Sequence, residues 1–183
     1  MFAIPLRDNA ELRVLEPWYA EEFFTHLERA RTHIAPWVGA TFVASDLDGA
    51  REVLQRYADG QAVDRQRIYG IWLDGTLVGG TMFVSFNAAS GVCEVGCWLE
   101  PAAEGHGLIT QVVRLMIDWA FRVRGLSRAE WRTLPDNVRS VNVAKRLGMS
   151  LDGVLRQYSP AGEGRRKDQQ YWSVLADEWP GAA

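Results

Sequence analysis

Between Val95 and Thr110 the chain reads Val-Gly-Cys-Trp-Leu-Glu-Pro-Ala-Ala-Glu-Gly-His-Gly-Leu-Ile-Thr: an apolar run, a glycine-bearing link and the start of an amphipathic stretch. A strand that passes through so short a loop into a helix leaves several backbone N–H groups unpaired and pointing one way. The helix N-terminus adds partial positive charge. Gly105 and Gly107 permit unusual φ and close approach of a ligand. The chemistry this suits is the holding of an anion such as a pyrophosphate, although spacing alone leaves a plain strand-to-helix connection open. The loop is not a Walker loop, because no Gly-Lys-Ser/Thr follows, and it lacks the third glycine of the dinucleotide fingerprint. Further along, Asn137 precedes an amphipathic run and suits an N-cap. A basic cluster, Arg165-Arg166-Lys167, reads as a solvated hairpin tip, or as a contact for an acidic acceptor or a cofactor phosphate.

Composition narrows the classes. Of the 183 residues 48% are hydrophobic and 23% charged, which is globular rather than disordered. A net charge of −3 gives no general attraction to nucleic acid or anionic lipid. The apolar runs are far shorter than the ~18 residues of a membrane span. The N-terminal residues do not read as a secretory signal, so a cytoplasmic location is expected. Cys93 and Cys97 share a strand face but are too far apart to bridge comfortably, and no second Cys or His pair completes a metal site. They read as reduced, structural thiols.

The elements that must position these groups follow from periodicity. Glu11 to Leu15 reads as a first strand. Pro17 suits the first position of a helix whose stripe is Ala20, Phe23, Phe24, Leu27 and Ala30. His33 to Trp37 reads as a loop. Ser45 to Asp48 resembles an N-cap for a second helix with Leu47, Ala50, Val53, Leu54 and Tyr57 inward and Gly60 as its stop. Ile68–Leu73 and Thr76–Phe86 flank Asp74-Gly75, a strong hairpin signal, and Val92–Leu99 continues the meander. A helix with Leu108, Val112, Leu115, Met116, Trp119 and Val123 on one face ends at Gly125. Ser127–Thr133 is a strand, Asn137–Leu147 a helix, and Leu151–Tyr158 with Gln169–Leu175 a C-terminal hairpin. With no repeat or linker, the reading is one α/β domain over 1–183. Its centre is a mixed sheet of about seven strands flanked by about four helices.

Glu94–Pro101, Glu104–Thr110, Asn137–Met149 and Gly153–Arg156, taken in that order, closely resemble the GNAT superfamily of acetyltransferases, and specifically its RimJ/RimL branch, which acetylates protein N-terminal amines. His-Ile-Ala-Pro-Trp (33–37) is similar to an early segment of that branch. The resemblance covers about residues 10–180 and implies a GNAT-like fold with acetyl-CoA as cofactor. It implies that Glu104, Gly105, His106, Gly107, Leu108, Ile109 and Thr110 surround the pyrophosphate, largely through backbone amides. The strand carrying Cys97, Trp98 and Leu99 would pair with the pantetheine arm. Two residues depart from the family pattern. Glu104 replaces Gln or Arg and places a negative charge near phosphate, and Ile109 replaces Gly or Ala, facing either the core or the adenosine side. His106 stands where relatives often carry Lys or Arg, which makes it a candidate phosphate contact. Asn137 and Ser140 match the family's Asn-x-x-Ser motif. The resemblance implies that Asn137 hydrogen-bonds the pantetheine, in addition to or instead of capping its helix, and that Ser140 stabilises the departing thiolate. Glu94 is the candidate base, its alternative being an ordinary strand residue.

Acetyl transfer needs a neutral amine. A protein α-amine, with pKa near 8, is already substantially neutral close to pH 7.5, whereas a lysine amine near 10.4 is not. An enzyme for α-amines therefore needs only weak base help. His26 reads as a solvated helix residue, and Tyr158 as a packing residue or a general acid. Most of the eight tryptophans should be core, with Trp37 and Trp72 as candidates to line an acceptor cleft. The function read here is direct transfer of acetyl to a primary amine, foremost a protein N-terminus, with a small-molecule amine as the alternative acceptor. A non-catalytic acyl-CoA-binding module and a preference for another acyl-CoA are further alternatives. The family resemblance makes a homodimer an assembly open to the chain.

Overall fold

The computed structural model describes residues 3–39, 42–161 and 164–180. Its strands are β1 (Ala3–Pro5), β2 (Ala10–Val14), β3 (Arg67–Leu73), β4 (Thr76–Asn87), β5 (Val92–Leu99), β6 (Arg128–Thr133), β7 (Ser150–Pro160) and β8 (Arg166–Leu175). Its helices are α1 (Ala20–Ile34), α2 (Leu47–Ala62), α3 (Leu108–Asp118) and α4 (Val138–Arg146). The eight strands form one sheet in the order β1-β2-β3-β4-β5-β6-β8-β7. Every neighbouring pair is antiparallel except β5 and β6.

Alternation along the strands decides which face each helix pair covers. On β5, Cys93 and Val95 join the core with Leu108, Val112, Met116 and Ile117 of α3 and Ala144 of α4. Trp98 points the other way and packs with Phe23, Leu27, Val53 and Leu54 of α1 and α2. Gly80 lies across from Trp98 in the β4–β5 register, where a Cβ would stand 2.3 Å from the indole, so only glycine lets the ring lie flat over β4. The Asp46 side chain accepts from Gly49 N at 2.8 Å and starts α2 as its sequence suggests. Asp74 and Gly75 both have positive φ, as a primed hairpin turn demands.

The four helices and seven of the strands fall where the sequence puts them. The additional strand is β1, a three-residue edge piece paired only to β2 and ending in Pro5, too short to leave a periodic signal. Three details differ. Gly60 lies inside α2, which runs on to Ala62. His33 belongs to the last turn of α1. Leu115 and Val123, expected in the buried stripe, are exposed: Leu115 lies beside the buried face of α3 formed by Leu108, Ile109, Val112, Val113, Met116 and Ile117, and Val123 falls in a wider π-turn over Trp119–Val123. No described helix is long and apolar enough to cross a membrane.

Candidate active site

The parallel pair β5–β6 is registered only over Val92–Glu94 against Arg128–Glu130, although β5 continues to Leu99 and β6 to Thr133. Beyond Glu94 the two strands diverge, and the β6-facing edge of Val95–Leu99 is left without a strand partner. A cleft of about 1060 Å³ opens there, lined among others by Glu94, Cys97, Leu99, Gly105, Asn137 and Ser140. An extended amide-bearing chain is the ligand such an edge accepts, because its N–H and C=O groups repeat the ladder of a missing strand.

At one end of the cleft the loop turns into α3. Gly105 and Gly107 have φ of 87° and 71°, and Gly107 is the N-cap of α3 yet has no side chain to cap with. The first-turn amides of α3 therefore face the cleft with the positive end of the helix behind them. Cations surround the same loop. Arg139 and Arg146 of α4 line the cleft, Arg146 reaching Thr110 Oγ1 at 3.3 Å, and an Arg7 nitrogen lies 3.3 Å from where a Gly107 Cβ would be. The residues present fit a diphosphate joined to an extended amide arm, which is coenzyme A. Glu104 does not oppose this as its charge suggests. Its carboxylate is engaged by His33 Nε2 at 2.8 Å and by Arg139 at 3.2 Å, so most of the negative charge is matched locally. No sequence signal joins residues so far apart in the chain. Ile109, in the first turn of α3, packs into the core and also borders the cleft.

Asn137 caps α4: its Oδ1 accepts from Ser140 N at 3.2 Å. The cap uses only the oxygen, so the amide NH₂ is left for a ligand. Ser140 Oγ accepts from Trp131 Nε1 at 2.9 Å. An indole N–H can only donate, so the serine keeps its own proton to give, and both residues line the cleft. Trp131 was not a sequence candidate, since a buried strand tryptophan reads as core.

Glu94 sits where β5 and β6 part. Its side chain is 15% exposed and its Oε2 lies 3.3 Å from Arg132 Nε. Burial raises its pKa, Arg132 opposes the rise and Glu130 adds to it. A carboxylate held so is a better proton acceptor than a free one. Cys97 lines the cleft and Cys93 is buried. Desolvation pushes both thiols up to about 12, which keeps them neutral. Trp98 contributes its backbone edge, its ring being buried on the far face, and Leu108 likewise packs its side chain into the core.

Other expectations need correction. Trp37 lines the cleft, with Lys167 Nζ 5.8 Å from its ring centroid. Trp72 does not: it is buried beneath Arg13 and Tyr19, and donates from Nε1 to Glu22 at 2.6 Å. Its strand position faces the α1–α2 side, as a cleft residue would, but two strands away from the opening. His106 turns outward to Asp8 Oδ2 at 3.1 Å and lies outside the cleft lining. His26 is not solvated. It is fully buried, its Nε2 accepting from Trp98 Nε1 at 3.0 Å, so its Nδ1 carries the proton that faces Glu100 Oε2 at 3.3 Å. Arg29 binds the same carboxylate at 3.2 Å. This group fixes the strand end from which the anion loop departs. Of the basic cluster, Arg166 bonds the carbonyls of Gln157 and Tyr158, and Lys167 pairs with Asp136 at 2.6 Å.

A splayed parallel pair with a carboxylate at the fork, an amide-lined loop before a helix and a capping Asn with a proton-bearing Ser define an acyl-CoA-dependent acyltransferase. Residues 10–150 match the acetyltransferase (GNAT) domain family. The chain belongs to that family and is an N-acetyltransferase that uses acetyl-CoA. It is 27% identical, over 99% of both chains, to a Bacillus subtilis protein that carries the provisional name ribosomal N-acetyltransferase YdaF. Its fold matches RimL, a ribosomal L7/L12 α-N-protein acetyltransferase solved with coenzyme A, with a TM-score of 0.87 at 19% identity over 97% and 99% of the two chains. A ribosomal-protein-S5-alanine acetyltransferase from Vibrio fischeri matches with a TM-score of 0.84 at 20% identity over 98% and 100%.

Proposed function

We propose that this protein acetylates the α-amine at the N-terminus of a protein, with a ribosomal protein as the leading acceptor class. The observation that carries this is the form of the cleft beyond Glu94. Trp37 and Val38, which follow α1, and Tyr158, Ser159 and Pro160 of β7 all contribute to its lining. Tyr158 is 50% exposed at its rim, so the acceptor end is a groove that a chain can leave rather than a closed chamber. The relatives named above support the same acceptor.

Bound acetyl-CoA supplies an acetyl group activated as a thioester. Backbone amides of the 104–110 loop, with Arg139 and Arg146, hold its phosphates. The free edge of Val95–Leu99 and the Asn137 amide hold the pantetheine, and a β5 N–H polarises the carbonyl. Glu94 takes the proton that the ammonium form of the acceptor must lose and passes it to solvent. The neutral amine nitrogen bonds the carbonyl carbon as the carbon–sulfur bond breaks, and the second proton that this nitrogen sheds passes to Glu94. The departing thiolate, which accepts the Ser140 hydroxyl hydrogen bond, takes a proton from solvent. Because an α-amine is partly neutral at physiological pH, one modest base suffices. We propose a single domain, a cytoplasmic location and, as its assembly, a homodimer. The exposed apolar edge of β7 (Leu151, Val154 and Leu155) supports the last.

The reading is tested by thiol release from acetyl-CoA with two acceptor panels, one of peptides bearing free N-terminal Ser or Ala and one of polyamines and aminoglycosides. Turnover on the peptides with little on the small amines is expected. The reverse preference would move the assignment to small-molecule acetylation. Sedimentation velocity checks the dimer: a single monomeric species at micromolar concentration would remove it.

A further inference from the structure

Glu94 is one end of a charged ladder on the open part of the sheet. It stands directly across from Glu130 in the parallel β5–β6 register. Alternation places Arg128, Glu130 and Arg132 of β6 on the same face. Arg132 bridges the two carboxylates, lying 3.3 Å from Glu94 Oε2 and 3.2 Å from Glu130 Oε2. Arg128 binds the other oxygen of Glu130 at 2.9 Å and also reaches Asp152. Arg132 is held in place from below, its guanidinium 4.5 Å from the Tyr171 ring centroid. Both carboxylates are mostly covered, with side-chain exposures of 15% and 18%. The count of partners is uneven. Glu130 has two arginines, and Glu94 has a share of one.

We propose that Glu130 is a positioning residue for the base: by holding Arg132 in common with Glu94, it keeps the Glu94 carboxylate from closing into a private ion pair and leaves an oxygen free for the amine. The inference rests on the reading of Glu94 as that base. A mostly covered carboxylate in a two-point arginine pair is a poor proton acceptor, and one with no cation nearby is pushed further toward its neutral form. A shared arginine gives the intermediate state that proton removal from an α-ammonium requires. Tyr57 of α2 and Tyr171 of β8 also face the Glu94 charge, and Arg56 of α2 and Tyr158 of β7 line the same cleft. Tyr57 and Tyr171 are pushed up to about 12, burial being the largest cause for each, and remain neutral through the working range.

The experiment is a carboxyl-carbon NMR titration of protein labelled with ¹³C-glutamate, the Glu94 signal assigned by its loss in Glu94→Gln. In Glu130→Gln the like charge is gone and Arg132 turns wholly to Glu94, so the Glu94 midpoint should fall by about one pH unit. In Arg132→Gln it should rise by about as much. Glu130→Asp keeps the charge, should hold the midpoint near wild type, and guards against a packing artefact. A Glu94 midpoint unmoved in Glu130→Gln overturns the inference. The kcat/KM profile with a free N-terminal Ser peptide separates this from the reading beneath it. If Glu94→Gln keeps the acidic limb of the wild-type profile, Glu94 is not the base and both fall. If the limb is lost but Glu130→Gln leaves it in place, only the role of Glu130 falls.

Discussion

Asn137 caps α4, and the proposed function gives the same side chain a second duty that separates by atom. The oxygen accepts from Ser140 N, and the NH₂ is the atom proposed to meet the pantetheine. Asn137→Ala removes both and should cost about 1 kcal/mol of stability as well as cofactor affinity. Asn137→Asp keeps the cap oxygen, so its melting temperature should stay near wild type while calorimetry with acetyl-CoA shows at least about tenfold weaker binding. Equal binding by Asp and Asn would mean that the residue is only a cap. The role proposed for Ser140 is one hydrogen bond to a leaving group that departs readily, so Ser140→Ala should lower kcat by about tenfold, not abolish it. His26 governs stability rather than catalysis. Burial, aided by the Arg29 charge, lowers its pKa to about 4. With the folded value below the unfolded one, the unfolded chain binds the extra proton between about pH 6.5 and 4. Stability is thus full above that window and is lost as pH falls through it, by an amount on the order of 3 kcal/mol. Urea unfolding at pH 7 and pH 4.5 should show this loss in wild type and a smaller one in His26→Gln; identical losses would assign the acid sensitivity to other groups.

The elements explain which parts of the site could be read from the sequence. The glycine loop, the N-cap and the hairpin turn are local: their residues lie within a few positions of one another, and backbone chemistry dictates their types. These were legible. The partners of Glu104, His26 and Ser140 were not, because His33, Glu100 and Trp131 reach them only after the sheet has assembled. The misplacement of Trp72 has the same origin: period-two alternation gives the face of a strand residue, but its distance from the opening depends on strand order. At this scale the loop itself is testable. Gly107 combines a φ of 71° with the helix start. Gly107→Ala should cost about 1 kcal/mol in backbone strain and set a methyl in the phosphate path. Acetyl-CoA binding should weaken by tenfold or more, with desulfo-CoA affected equally because the thioester is remote. An unchanged affinity would place the phosphates elsewhere.

Across the whole molecule, two helix pairs clamp opposite faces of one sheet, and the sheet fails at a single seam, where β5 leaves β6. The cleft, with Glu94, Asn137 and Ser140 in its lining, opens at that seam, and the proposed base and acceptor groove both depend on it. The sequence order of elements implies a mixed sheet with one strand–helix–strand crossover, so the fold class is legible in the sequence alone. The width of the seam and the direction of the groove are not, because they depend on where pairing stops. The cleft is lined both by the buried Glu94 and by the exposed Tyr158, and this supports the proposal that the acceptor is the end of a polypeptide. The direct test is tandem mass spectrometry of a peptide with a free N-terminal serine and an internal lysine after incubation with acetyl-CoA and enzyme, with an α-N-blocked copy alongside. The expected result is one acetyl group on the α-amine and none on the blocked peptide. Acetylation confined to the lysine, or no product while acetyl-CoA binds, would contradict the account.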